Sequence, residues 1–326
     1  MDVTATSSIV VEQLATPSEW RDVLSRSVNG TLYQDLDFLA YHPADRFRFH
    51  HLIFKRNGNA IALLPGGLSG TNDRPIFSSP LGASIGGFVV AANLRADTAI
   101  ELVEALQNYA NARDWGGIDI TVPPACYSFE TADLLAFALY FRGFRMTRRW
   151  LCHVAPINAG PPESSFRNNQ LASVRAARRG GMVGVKTGLD GLDRFLQVFR
   201  DTYDRHGVAA THSPDEIRDL MRRFPDRIWI ELAVRGDETI AGLLVFQLTA
   251  TIATTFYICT GAEHAKAGGA AFAIANLIER LSKAGFRYLD FGPSANDQKF
   301  NKGVTFFKEG LGASGQCRDR WNWRPA

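Results

Sequence analysis

Hydrophobic and polar positions alternate in two registers along this chain, and the registers recur in the same order in its two halves. In the first half, "SSIVVEQLA" reads as a strand. "TPSEW" then opens a helix, with Thr16 at the N-cap, Pro17 at the first helical position and Glu19 three residues past the cap, the spacing of a capping box. "HHLIFKRNGNAIALLPGGL" is two apolar runs joined by Asn57-Gly58, a strong hairpin signal, and "GGFVV" is a third strand. The 3.6-residue spacing of Ile100, Val103, Leu106 and Tyr109 predicts a helix over about 95–113. "GGIDITV" reads as a buried strand, "FETADLLAFALYFRG" as a helix and "FRMTRRWLCHVAPI" as a closing strand.

The second half repeats the order. "SSFRNNQLASVRAARRGG" is a capped helix ending at Gly180-Gly181, and "GMVGVKT" is a short strand. Leu192, Phe195, Leu196 and Phe199 mark one face of the next helix. "SPDEIRDLMRRFP" carries a second capping box, Ser213 with Glu216, a Pro214 start and a Pro225 stop. A hairpin around Gly236-Asp237 and the strand "TTFYICTGA" follow. A helix over about 268–284, with Phe272, Ala275, Ile278 and Leu281 inward, feeds into "FRYLDFG". "NARDWGGIDI" and "LSKAGFRYLDF" match as joints, since both enter a strand bearing an aspartate, Asp119 and Asp290. The proline-, glycine- and serine-rich segment 156–165 is the expected linker, dividing the chain into domains 1–157 and 158–326.

Composition narrows the class. With 326 residues, 46% of them hydrophobic, the chain can bury two ordinary cores. A net charge of +3 leaves any attraction to nucleic acid or membrane to local clusters. No apolar run reaches bilayer length, and "MDVTATSSIVVEQ" lacks a signal-peptide layout, so a soluble cytoplasmic protein is expected. Cys126, Cys152, Cys259 and Cys317 are far apart and form no CxxC pair, which fits buried thiols in a reducing compartment and no metal site. No Ser-His-Asp order, HExxH, P-loop or Rossmann fingerprint is present, so hydrolase, zinc-protease and nucleotide-hydrolysing readings have no support.

Hairpin, strand, long helix and strand, twice over, is the order of the Gcn5-related acyltransferase (GNAT) fold. Two such units closing on Asp290-Phe291-Gly292, Asn301-Lys302-Gly303, Phe307-Lys308 and Leu311-Gly312 resemble the Fem-type (FemAB-like) transferases, which attach an aminoacyl group to an amine. The basic helix end "SVRAARRGG" is similar to the helix that opens that family's second unit, and "LYQDLDFLAYH" resembles its early aromatic segment loosely. The implied fold is α/β (α+β), two tandem acyltransferase-like domains, each a mixed central sheet flanked by helices. The implied activity is acyl or aminoacyl transfer to an amino group by direct attack, with the acceptor, a small molecule or cell-envelope precursor, in the inter-domain cleft. No tightly bound cofactor is expected, and acyl-CoA or aminoacyl-tRNA is the donor.

The resemblance places Lys308 beside the reacting carbonyl. A fixed cation there, walled by Phe306, Phe307 and Leu311, can steady the oxyanion of a tetrahedral intermediate. Asn296, Lys299, Asn301 and Lys302 in the "GPSANDQKFNKG" loop offer donors for a phosphate or sugar, against ordinary loop chemistry. Arg175, Arg178 and Arg179 share one helical face and suit phosphate, against a solvated face favoured by the helix dipole. Arg142, Arg145, Arg148 and Arg149 form a second cluster on the strand closing the first half. "TGAEHAKAGGAAF" occupies the place of the GNAT pyrophosphate loop. Gly268 and Ala270 fit it, with Gly269 between them as a further candidate contact, but Ala265 stands where a basic or amide residue is usual, with Lys266 as a substitute charge. Candidates for the proton acceptor are Glu231, Tyr257, Glu263, His264 and His212, and spacing does not choose among them. A CoA-dependent N-acetyltransferase and a catalytically silent nucleotide- or polysaccharide-precursor-binding module are the alternatives.

Overall fold

A computed structural model describes residues 8–71, 73–158, 160–207, 209–295 and 298–326. They fall into two compact units, residues 1–150 with 317–326, and residues 151–316.

The first unit runs β1 (Val10–Gln13), α1 (Pro17–Ser25), α2 (Leu36–Leu39), β2 (Arg48–Phe49), β3 (Leu52–Arg56), β4 (Asn59–Leu64), β5 (Gly67–Ser69), β6 (Ile76–Ser79), β7 (Val89–Val90), α3 (Ala96–Asn111), β8 (Gly117–Thr121), α4 (Phe129–Phe141) and the start of β9 (Arg145–Pro156). Asn57 and Gly58 both take left-handed φ, 51° and 77°, and so turn β3 into β4 as the hairpin signal predicts. The capping box at α1 does not form. Thr16 makes no side-chain cap bond, and Glu19 instead pairs with Lys55 at 3.0 Å. The third strand differs as well. "GGFVV" supplies β7, which pairs with β4 in a separate sheet ordered β1-β3-β4-β7. The parallel partner of β8 is β6, in register Ile76↔Gly117 to Ser79↔Ile120. "PIFSS" is four strand residues between prolines, too short for alternation to show.

Leu102, Val103, Leu106 and Ala110 of α3 pack with Ile118 and Ile120 of β8 and Leu135, Ala138 and Leu139 of α4 in one buried core. Trp321 and Trp323, near the C-terminus, lie against the same core.

The second unit takes the end of β9, then α5 (Asn168–Arg179), β10 (Val183–Thr187), α6 (Leu192–His206), α7 (Pro214–Arg223), β11 (Ile228–Arg235), β12 (Glu238–Gln247), β13 (Ile252–Thr260), α8 (Gly269–Lys283), β14 (Tyr288–Ala295), α9 (Lys302–Gly310) and the start of β15 (Ser314–Trp323). The sheet order is β10-β11-β12-β13-β14-β9. At α7 the capping box is complete, since Ser213 Oγ accepts from Glu216 N and Glu216 Oε2 accepts from Ser213 N. All neighbours are antiparallel except β13 and β14, whose parallel connection is carried by α8. Phe272, Ala275, Ile278 and Leu281 of α8 are buried in this unit's core, as their spacing predicts.

The sequence reading did not anticipate α9 or β15. Asn301, expected in a substrate loop, is the N-cap of α9, its Oδ1 accepting from Val304 N at 3.1 Å.

Candidate active site

The parallel strands β13 and β14 stay paired for three positions only, Ile252↔Tyr288, Ala253↔Leu289 and Thr254↔Asp290. Beyond that point β14 continues alone on this side, paired with β9 on the other. Its register against β9 is irregular between Asp290 and Pro293. Gly292 takes φ +69°, a conformation that glycine alone adopts freely, and the bulge turns backbone groups out of the ladder. Asp290 Oδ1 fixes the bend by accepting from Gly292 N at 2.7 Å.

Lys308 approaches this bulge from α9. Its side chain is buried, and Nζ donates to the carbonyls of Gly292 and Pro293, each at 3.0 Å. Desolvation pulls the ammonium down from 10.5 to about 8, against opposing pulls from the Asp290 carboxylate and Cys152. An ammonium has three N–H donors and two are occupied, so one is left to give. Of the wall expected around it, Leu311 is buried and Phe307 packs against the core, but Phe306 is exposed.

Beside Lys308 lie residues that the sequence reading missed. His153 of β9 is buried, and its Nδ1 lies 2.9 Å from Ser294 Oγ. Its Nε2 is 3.8 Å from Glu309 Oε1, and Arg167 Nη2 holds the other oxygen of Glu309 at 3.2 Å. Burial, then the Lys308 charge, push His153 below its usual 6.5, with Glu309 and Asp290 opposing. Burial and the Lys308 charge both favour the neutral imidazole. The available clue was a histidine inside the buried run Cys152–Ala155 of a strand, a place where imidazole needs a designated partner.

The other candidates stand elsewhere. Glu231 is buried with its Oε1 held by Trp229 Nε1 at 3.0 Å and Arg280 Nε at 3.1 Å, and burial raises its carboxyl above the usual range. Tyr257 Oη is bonded to both Nδ1 and the backbone N–H of His212. Glu263 and His264 sit in a single turn before α8, where His264 faces Glu238 at 3.9 Å. Arg175 and Arg179 are exposed on α5, and Arg178 is spent on Glu163 at 2.6 Å. Lys299 and Lys302 are exposed, and Asn296 lies outside the described residues. Lys266 precedes the α8 N-terminus. There Gly268 allows the Ser173 carbonyl within 3.0 Å of where a Cβ would stand, and Gly269 packs on Ile240, so close packing accounts for both glycines. Ala270 lies against the same core. In the first unit, Arg142 caps α4 instead of lying on a strand, and its Nη2 is 3.2 Å from Glu104. Of the four cysteines, Cys126, Cys152 and Cys259 are buried and Cys317 is exposed. Among the described residues no His, Cys, Asp and Glu cluster could hold a metal, and no helix is long and apolar enough to cross a membrane.

A parallel pair parting around a crossover helix, in each of two successive units, is the architecture of the tandem GNAT fold, which this chain shares. Residues 164–301 match the family model described as an acetyltransferase (GNAT) domain. The chain shares its fold with the crystal structure of FemX, at a TM-score of 0.73 and 13% identity over 96% of this chain and 97% of that one. L-PGS from Bacillus licheniformis aligns with a TM-score of 0.60 and 11% identity, over 95% and 92% of the two chains. A tandem GNAT protein from the clavulanic acid biosynthesis pathway aligns with a TM-score of 0.55 and 12% identity, over 98% and 100%. Comparison with curated proteins finds no match.

Proposed function

We propose that the second unit transfers an acyl group from an activated carbonyl donor to a primary amine by direct attack, with Lys308 and His153 as its catalytic residues. One observation carries this reading: a buried lysine, lowered to about 8, at the bulge where β14 has left β13. The donor carbonyl lies along the open edge of β14, and the remaining N–H of Lys308 meets its oxygen as that oxygen becomes negative. A charged donor already fixed in a desolvated place needs no reorganisation at that moment, which is why it lowers the barrier. Neutral His153 takes the proton that the attacking amine loses, and Ser294 and Glu309 hold the ring. The tetrahedral carbon then collapses and expels the donor's leaving group.

A coenzyme A thioester is the first donor to test, since the matched domain is an acetyltransferase domain and α8 opens where that fold binds pyrophosphate. Lys266 and the exposed α5 arginines, Arg175 and Arg179, are the charges available to its phosphates. An amine of a cell-envelope precursor is the acceptor class we favour, by the fold shared with FemX.

The test is thiol release from acetyl-coenzyme A with a panel of primary amines. We expect release that depends on amine and falls at least ~100-fold in Lys308→Met, the scale of losing one oxyanion donor. Turnover undiminished in Lys308→Met would remove the lysine from the mechanism. Transfer from an aminoacyl ester in place of the thioester would move the donor to the Fem type.

A further inference from the structure

The first unit also parts its parallel strands, and the parting holds a pocket. Its last paired residues are Ser79 and Ile120. Just beyond them lies a pocket lined by Ile120, Val122 and Pro123 from the β8 side and by Leu135 and Leu139 of α4. Asn29, Gln34, Ser128 and Thr131 supply its polar lining, and no lining residue among those described is charged. The pocket is therefore the first unit's counterpart of the place that Lys308 occupies in the second, without the cation.

Its polar groups are unequal. Both ends of the Asn29 amide are used, Nδ2 on Phe88 O and Oδ1 on Val90 N. Gln34 is only 2% exposed, and its Oε1 accepts from Thr31 N and Thr31 Oγ1, each at 2.7 Å. The backbone donor at Thr31 fixes which end of the amide is oxygen. The NH2 end, with two donors, has no partner among the described residues. Ser128 Oγ accepts from Thr131 Oγ1 at 3.0 Å, which leaves its own proton to donate. The polar end of an otherwise apolar pocket thus offers amide donors at Gln34, and its side-chain acceptors are only the neutral hydroxyl oxygens of Ser128 and Thr131. A donor that opens onto the pocket and has no protein partner is best met there by an oxygen acceptor, so a ligand bringing one is favoured. With no cation present, a full negative charge would be desolvated without compensation.

We propose that this pocket binds a neutral acyl compound, its apolar chain between β8 and α4 and its carbonyl oxygen on the Gln34 NH2 group. The inference goes beyond the transfer chemistry of the second unit and does not rest on it.

Three six-carbon probes of one shape test it directly: hexanamide, sodium hexanoate and hexylamine, followed by shift perturbation of pocket methyl groups in the full chain. Hexanamide is expected to bind most tightly, hexanoate more weakly, and hexylamine not at all. Gln34→Glu keeps the oxygen that accepts from Thr31 and removes both donors, so hexanamide affinity should fall ~10-fold or more, the scale of a lost buried hydrogen bond. Ala132→Phe fills the pocket and should abolish binding, with a melting curve showing that the variant is folded. Lys308→Met should leave hexanamide binding unchanged, which separates this site from the transfer site. Equal binding of hexanamide and hexylamine, unaltered affinity in Gln34→Glu, or loss of binding in Lys308→Met would each overturn the proposal.

Discussion

Lys308 shows how one residue ties burial to chemistry. Its lowered pKa means that the folded chain binds fewer protons than the unfolded chain between about pH 8 and 10.5. Stability therefore gains from this residue as pH rises through that window, because neutral lysine is the form that burial tolerates. A Lys308→Met variant lacks this gain, so the difference in melting temperature between wild type and variant should shift in favour of wild type from pH 8 to pH 10. Activity should run the opposite way. The oxyanion role needs the ammonium, so turnover should fall as pH rises through about 8, while the acid limb, set by His153, should lie below pH 6.5. His153→Gln should remove the acid limb and leave the basic one. A basic limb that persists in Lys308→Met would assign it to another group.

At the scale of elements, two similar sequence signals had different outcomes. "TPSE" and "SPDE" both place a hydroxyl before proline and a glutamate three residues past the cap, yet only Ser213 with Glu216 closes the box. Lys55, on the neighbouring strand, draws Glu19 away from Thr16. Ser213→Ala should cost about 1 kcal/mol by chemical denaturation, and Thr16→Ala close to nothing. Equal losses would show that Thr16 caps in solution. The same competition explains β6 and β7. "GGFVV" has the stronger strand composition, but which sheet a strand joins depends on partners distant in sequence, and the short "PIFSS" takes the position beside β8. Local propensity cannot decide such a contest.

At the scale of the whole molecule, the last ten residues belong to the same compact unit as the first 150. Arg320, Asn322 and Arg324 surround Asp119 of β8, at 2.8 Å for each arginine, and Trp321 and Trp323 cover the first unit's core. Truncation after Gln316 should therefore destabilise α3 and β8, far away in sequence, more than α8 and β13. Amide hydrogen exchange resolves the two sets. Faster exchange confined to 151–316 would contradict this. The repeat boundary proposed at 157/158 follows the order of elements, whereas the compact units follow contacts, and a strand added late in the chain separates the two partitions.

The amino-acid sequence by itself determined the periodic elements, their twofold order and hence the tandem fold, because amphipathic spacing, hairpin turns and caps are local. It also singled out Lys308 by its aromatic and glycine neighbours, although not its helix. Tertiary structure alone decided what stands around that lysine. His153 lies 155 residues earlier and reaches it through strand register, and Gly292 and Pro293 turn their carbonyls to it only because the strand bulges there. Burial then supplies what no residue carries in its own chemistry, the desolvation that brings an ordinary ammonium to about 8.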